Sequence, residues 1–201
     1  MTAITLLDYG VGNTASVRRA FERLGAAVEL TADPARVAAA SHVVLPGVGA
    51  FAPARERLLT TGLDVAVQEA AKKGTFLLGL CLGYQLLFEA SEEFGLTEGL
   101  GLVDGRVKEF PVGTRVPHIG WNQLRVSPSR LLRKVPDQSY VYFVHSFRPE
   151  GLLGSDIVAG CGYGGGFAAA VEHGNVWGCQ FHPEKSSAVG RQILRNFLEA
   201  V

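Results

Sequence analysis

Cys81 stands between two glycines in Gly79-Leu-Cys81-Leu-Gly83, with an apolar run before it and a helical pattern after it. Thr75 to Leu80 offers no polar face and reads as a fully buried strand. From Leu82 to Ala90, Leu82, Leu86 and Leu87 fall on one helical stripe. This is the spacing of the nucleophile elbow G-x-S-x-G, with Cys in place of Ser. The glycines serve a turn so sharp that backbones meet where side chains would collide. A sulfur held there points out of the end of a sheet, and the N-terminus of the following helix favours its thiolate. The alternative is an inert buried cysteine, and the coincidence of two glycines with strand-turn-helix context weighs against it.

The second chemical stretch is Gln180-Phe-His182-Pro-Glu184-Lys185. In an extended segment, residues two apart share a face, so His182 and Glu184 are expected side by side, with Pro183 fixing the backbone between them. An imidazole beside a carboxylate is the base and orienter of a hydrolytic triad, and Cys81 supplies the nucleophile. The other histidines, His42, His118, His145 and His173, are not paired in this way. No two histidines lie at i, i+4 and there is no C-x-x-C, so no metal site and no cofactor are expected. Pro46-Gly47-Val48-Gly49 lacks the G-x-G-x-x-G spacing of a dinucleotide loop, which leaves close backbone approach to a substrate as its use.

These residues need a scaffold, and the pattern supplies one. Strands are expected at Ala3–Asp8, Ala27–Thr31 and His42–Leu45, alternating with helices from Asn13 to Gly25 and from Asp33, with Asn13 and Asp33 as caps. Two more helical stretches, about 51–59 and 63–73, precede the elbow. Alternation of this kind predicts an α/β fold, with a mostly parallel central sheet and helices on both faces. Sites in such sheets lie beyond the carboxyl ends of the strands, so the Asp8–Asn13 loop, the Pro46–Gly49 loop and Cys81 are expected on one rim. The segment 94–105 reads as loop. Short strands at 105–110, 122–126, 140–146, 157–161, 167–172 and 176–181 are expected to extend the sheet in antiparallel fashion. Ser129–Lys134 and Ser186–Ala200 read as helices.

The chain has 201 residues, 47% hydrophobic and 19% charged, which suits one domain over 1–201 with a sizeable core. Lys+Arg and Asp+Glu number 19 each, so nothing in the charge balance points to nucleic acid or an anionic membrane. The three cysteines are scattered, which fits a reducing, cytoplasmic setting rather than a disulfide framework. No signal peptide is expected, and no apolar run approaches the roughly 20 residues that cross a bilayer.

Taken together and in order, Pro46-Gly-Val-Gly49, Gly79-Leu-Cys81-Leu-Gly83-Tyr-Gln85 and Phe181-His182-Pro-Glu184 resemble the class I, triad-type glutamine amidotransferases. The finer pattern is similar to the glutaminase subunits of imidazole glycerol phosphate synthase. It is carried by Asp8-Tyr-Gly-Val-Gly-Asn13, Pro46-Gly-Val-Gly-Ala-Phe51, Gly120-Trp121-Asn122, Tyr142-Phe-Val-His145-Ser146 and Glu184-Lys185-Ser186, and covers nearly the whole chain. The resemblance implies that Cys81 attacks the side-chain amide of L-glutamine, that His182 moves the proton and that Glu184 orients His182. It implies an oxyanion hole from the N–H of Leu82 and from the loop near Val48 and Gly49, whose peptide must flip. It implies substrate contacts at Gly49, Gln85, His145, Ser146 and Phe147. It implies ammonia passing to a (β/α)8-barrel cyclase subunit in a heterodimer, with Asn13, Trp121, Asn122 and Lys185 at or near the interface. Core packing is the alternative for Trp121, and a solvated charge the alternative for Lys185. Ile119 stands where Met is more usual and Phe147 where Tyr is common. Glutaminases serving GMP, anthranilate or aminodeoxychorismate synthesis are a second reading, against which the compact length and the Asp8–Asn13 and Gly120–Asn122 stretches speak. A non-catalytic regulatory relative is a third, against which the intact triad speaks, and a freestanding thiol hydrolase a fourth.

Overall fold

The computed structural model describes residues 2–201. The first half is β1 (Ala3–Leu7), α1 (Thr14–Glu22), β2 (Ala27–Thr31), α2 (Pro34–Ala38), β3 (His42–Leu45), α3 (Phe51–Thr61), α4 (Leu63–Lys72), β4 (Phe76–Leu80) and α5 (Leu82–Leu86). The second is β5 (Phe88–Ser91), β6 (Thr97–Glu98), β7 (Val103–Glu109), β8 (His118–Gln123), β9 (Arg125–Val126), β10 (Tyr140–His145), β11 (Phe147–Glu150), β12 (Ile157–Cys161), β13 (Phe167–His173), β14 (Val176–Cys179) and α6 (Ser187–Leu198). The central sheet has eight strands in the order β2-β1-β3-β4-β14-β13-β12-β9. From β2 to β14 the neighbours run parallel. Beyond β14 they run antiparallel, as expected for the C-terminal half. A four-stranded sheet β11-β7-β5-β6 and a two-stranded sheet β10-β8 stand beside it.

The strands β1, β3 and β4 are apolar at all positions but Thr5 and His42 because both of their faces are covered. Ile4, Leu6, Val44, Leu78 and Leu80 pack with Val17 and Phe21 of α1 and Ile193 and Phe197 of α6. Leu7, Val43, Leu45 and Leu77, the alternate residues, pack with Val37, Leu58 and Val67 of α2, α3 and α4. The register places β4 between β3 and β14, with Leu45 opposite Gly79 and Cys179 opposite Leu80. The loop after β3, the elbow after β4 and the segment after β14 therefore leave the sheet side by side.

Several expected elements differ. The helix after Cys81 stops at Leu86 rather than Ala90, and Phe88–Ser91 is a strand. The backbone carbonyls of Leu86, Leu87, Phe88 and Glu89 accept instead from Leu100, from Leu102 and Val103, from Gly101 and from Gly99. Gly99 permits that approach, since a Cβ there would lie 2.0 Å from the Phe88 carbonyl oxygen. Ser129–Lys134 is not a helix. Glu172 takes the Leu131 N–H and Asn196 takes the Leu131 and Arg133 carbonyls, so distant side chains satisfy its backbone. The strand expected at 122–126 is two strands, β8 beginning at His118 and the short β9. β11, which pairs antiparallel with β7, lies outside the expected strands.

Candidate active site

Cys81 sits at φ 54 and ψ −105, outside the regions where a side-chain-bearing residue is at ease. The surroundings hold it there. Its N–H donates to the Cys179 carbonyl at 2.9 Å and its carbonyl accepts from Gln85 N at 3.1 Å. A Cβ on Gly79 would fall 2.7 Å from the Gly83 carbonyl oxygen, and one on Gly83 only 1.9 Å from that of Leu45. The two glycines thus let the turn lie flat against β3, as their spacing implied. The helix that follows is only five residues long, so its N-terminal N–H groups are present near the sulfur but little dipole stands behind them.

His182 leaves the end of β14, and its Nδ1 lies 2.8 Å from Glu184 Oε1, with the two side chains only 4% and 2% exposed. The expected pair is made, though not by an extended segment: Pro183–Lys185 is a 3-10 turn. Lys185 N and the Ser186 hydroxyl both donate to the His182 carbonyl, at 3.0 and 2.7 Å. The Ser186 hydroxyl also accepts from Tyr142 N at 3.0 Å, so it clamps the turn to β10. With Nδ1 committed to Glu184, Nε2 is the nitrogen left for any proton transfer. It is buried without a hydrogen-bond partner, and His182 lines the same cavity as Cys81, whose thiol is directed at the Val144 carbonyl at 3.8 Å. Burial pulls the imidazole pKa down, but Cys81 and Glu184 overcome it and push the value up to about 10. The site is built to favour the imidazolium form of His182.

The Pro46–Gly49 loop lies against the elbow. Tyr9 is buried, and its hydroxyl donates to the Pro46 carbonyl at 2.6 Å. Burial, and then the nearby Cys81, raise the Tyr9 pKa far above its usual value, so it remains a donor. The N–H of Leu82 donates to the Gly47 carbonyl at 3.3 Å. The expected oxyanion donor is therefore taken by the chain's own carbonyl. Gly47 is hemmed in, since a Cβ there would lie 2.9 Å from Gly83 N, Leu82 Cβ and the Tyr9 hydroxyl. Gly49 has φ +100, so the loop can turn where a larger residue would be strained.

A cavity of about 340 Å³ opens over the sulfur. Its lining includes Val48, Gly49, Cys81, Leu82, Gln85, His145, Ser146, Phe147 and His182, which gathers the expected oxyanion, substrate and catalytic residues except Glu184, whose place is behind His182. The size suits a small polar ligand. The Gln85 amide nitrogen donates to the Phe147 carbonyl at 3.1 Å and to Gln180 Oε1 at 2.9 Å, which leaves its carbonyl oxygen to offer a ligand. Sequence reasoning missed four residues. Glu93, outside every expected element, and Phe94, at the start of the segment read as loop, line the cavity, and Glu93 accepts from Phe51 N at 2.6 Å. Gln180 is fully buried, with Nε2 3.8 Å from the Cys81 sulfur; its place two residues before His182 was the available signal. His118 is buried against His145, Nδ1 to Nε2 at 3.0 Å.

Burial lowers the pKa of His118 to about 4. Burial, outweighing the hydrogen bond to the Phe147 carbonyl, lowers that of His145 to about 3. Both are therefore neutral in the folded chain where an unfolded histidine, with a pKa of 6.5, is charged. The unfolded state binds more protons below pH 6.5, so stability falls as the pH drops from there towards about 4. The slope approaches about 1.4 kcal/mol per pH unit for each histidine. Denaturant unfolding at stepped pH checks this, and His118→Phe should flatten the slope. An unchanged slope would mean that His118 is charged in the folded chain.

The remaining expected residues divide. Trp121 is 51% exposed and packs edge-on against Tyr142, so it is not core. Lys185 is exposed, with its ammonium 5.7 Å over the same Tyr142 ring, and joins Trp121 on one surface. Asn13 is exposed and caps α1 by accepting from Ser16 N at 3.3 Å, and it borders a small hollow behind His182 and Glu184. Asn122 turns to the other face of β8, where its amide meets His118 Nε2 at 3.2 Å. Among the described residues no group of acidic, His or Cys side chains is arranged to hold a metal, and no helix is long and apolar enough to cross a membrane.

A sequence profile described as glutamine amidotransferase class-I matches residues 5–201. The chain is 49% identical over 207 residues to the imidazole glycerol phosphate synthase subunit HisH of Moorella thermoacetica, covering 100% of this chain and 96% of that one. It is 44% identical to the subunit of the same name from Methanosarcina barkeri, covering 99% of each. Among solved structures it is similar in fold to one described as a crystal structure of glutamine amidotransferase, with a TM-score of 0.78, 20% identity and coverage of 98% and 97% of the two chains. PurLQS from Thermotoga maritima gives a TM-score of 0.77 at 18% identity, with 98% of each chain covered.

Proposed function

The chain belongs to the class I glutamine amidotransferases, and from that premise we propose a residue-level account of its reaction. Its activity is that of the glutaminase subunit of imidazole glycerol phosphate synthase, in histidine biosynthesis. One glutaminase domain spans 1–201. Cys81, His182 and Glu184 are its catalytic residues, and the observation that carries the assignment is the buried His182–Glu184 pair whose imidazole lines one cavity with the elbow sulfur.

Glutamine enters the cavity over Cys81. Glu93 is the carboxylate of that lining and faces the substrate ammonium, with the Gln85 carbonyl oxygen beside it. Gly49, His145, Ser146 and Phe147 hold the rest of its backbone. The Cys81 sulfur attacks the side-chain amide carbon. His182 Nε2, protonated from the thiol, gives that proton to the departing ammonia, and a glutamyl thioester remains. Water attacks next, His182 accepts its proton and returns it to the sulfur, and glutamate leaves. Glu184 holds His182 in its tautomer and stabilises the imidazolium throughout.

The oxyanion is received by Leu82 N–H and by Val48 N–H. In the arrangement described above, the Gly47 carbonyl occupies the Leu82 donor. Rotation of the Gly47–Val48 peptide exchanges that carbonyl for the Val48 N–H and completes the hole. A missing donor costs about 2.7–4 kcal/mol, so the chain alone should run about 10²–10³-fold slower than its activated form. The ammonia passes to a (β/α)8-barrel cyclase subunit, docked as a cytoplasmic heterodimer with Asn13, Trp121, Asn122 and Lys185 at or near the interface. Glutamate release should be measured for the chain alone, with that subunit, and with the subunit plus its ribonucleotide. A steep rise only in the full mixture is the expected result. High activity alone would point to a freestanding hydrolase. Glu184→Gln should retain about 10²-fold more activity than loss of the nucleophile, since an orienter is outside the covalent path.

A further inference from the structure

We propose that His118 and His145 are positioning residues for the glutamine clamp, a two-imidazole relay that ties the Asn122 amide on β8 to the Phe147 carbonyl and through it to Gln85. The proposal rests on the glutaminase reading and deepens it. The relay begins at the N–H of Gln123, a group that can only donate, and Asn122 Oδ1 accepts from it at 2.8 Å. The orientation of the amide is thereby fixed, and Nδ2 donates to His118 Nε2 at 3.2 Å. A neutral imidazole that accepts at Nε2 carries its proton on Nδ1, so His118 Nδ1 donates to His145 Nε2 at 3.0 Å. By the same rule His145 carries its proton on Nδ1 and donates to the Phe147 carbonyl at 2.8 Å.

That carbonyl can only accept. The direction of every bond is therefore set independently from both ends, and the two answers agree. Both rings are neutral near pH 7, since burial lowers both of their pKa values. Aromatic faces hold the rings in place. His118 stacks on Tyr163 with centroids 4.0 Å apart and on Phe143 at 4.7 Å. His145 lies 4.9 Å from Phe167 and 5.3 Å from Phe110. At the inner end, the Phe147 carbonyl also accepts from Gln85, and Gln85 leads on to Gln180 beside the Cys81 sulfur.

The relay has a second state. An acceptor in place of the Asn122 amide nitrogen would require His118 to carry its proton on Nε2. Each ring would keep one proton but on its other nitrogen. His145 Nδ1 would then face the Phe147 carbonyl lone pair to lone pair, and the carbonyl that anchors Gln85 would be pushed away. The outer end is open, because Asn122 borders a surface hollow of about 620 Å³ shared with Arg125, Gln138 and Tyr163. A change at position 122 is thus delivered to the substrate clamp along a route separate from the Pro46–Gly49 loop.

The test is 15N NMR of the full chain labelled at histidine, combined with glutaminase kinetics in the presence of saturating cyclase subunit and its ribonucleotide. The wild type should show His118 and His145 as Nδ1–H tautomers at pH 7. Asn122→Asp should move both to Nε2–H and raise KM for glutamine about tenfold with a much smaller change in kcat, the size of one misplaced hydrogen bond. His118→Phe should raise KM similarly, and His118→Asn, which restores a donor towards His145, should bring it back. Nε2–H tautomers in the wild type would overturn the relay. So would an unchanged KM in both Asn122→Asp and His118→Phe when these unfold at the wild-type temperature. Correct tautomers in a wild type that releases no glutamate would sink the glutaminase reading instead and leave the relay standing.

Discussion

Cys81→Ala will abolish glutamine hydrolysis in every mixture of subunits and ligands. Other groups line the cavity, but none can replace the sulfur. Gln85 is an amide, as is Gln180 beside the sulfur, His145 is committed to the Phe147 carbonyl, and the thiols of Cys161 and Cys179 are buried outside the cavity lining. His182→Ala will be nearly as damaging, because nucleophile and base act as one unit and losing either costs about 10⁶ in comparable triads. Glutamate release, followed at substrate concentrations well above KM, measures both. Turnover retained by Cys81→Ala would end the thioester mechanism. A Cys81→Ala chain that still docks its partner would also show that the loss is chemical rather than structural.

Gly83→Ala will disable the protein by a different route. The added methyl would lie 1.9 Å from the Leu45 carbonyl oxygen and 2.7 Å from its carbon. Leu45 is a fully buried residue of β3, paired in register with Gly79 of β4, so neither strand can retreat. Overpacking of this kind costs about 1–3 kcal/mol, and a backbone obstacle places it at or above the upper end. The elbow would also tilt, moving Cys81 away from His182. Denaturant unfolding should show the loss directly, and alkylation of Cys81 should slow. Gly154→Ala is the control: nothing lies within 4 Å of its added carbon and its φ is not positive. Its stability should change by less than about 1 kcal/mol. Equal stabilities for the two variants would mean that the elbow and β3 do not touch.

The chemistry was legible in the sequence because its signals are local. Two glycines around Cys81 describe a turn that only one arrangement of neighbouring strands can house. His182-Pro-Glu184 brings base and orienter together within three residues, whether the backbone is extended, as its spacing suggested, or wound in a turn, as it is. The parallel half of the sheet was equally legible, since strands covered on both faces are near-continuous apolar runs and the helices between them are amphipathic.

The stretch from Leu86 to Val103 was not legible. Its apolar residues suit a helix or a strand alike, and the choice was made by carbonyls claimed by a later segment of chain. The rest of the site is non-local too. Gln85 meets Gln180 across 95 residues and His118 meets His145 across 27. The sequence by itself determined the glycine-flanked turn at Cys81 and the pairing of His182 with Glu184, because each is defined by neighbours within one turn of chain. Only the tertiary structure decided that the Gly47 carbonyl accepts from the Leu82 N–H and that two buried imidazoles stand behind the Phe147 carbonyl. Hydrogen bonds between distant segments depend on which strands lie side by side, and residue spacing along the chain does not encode that order.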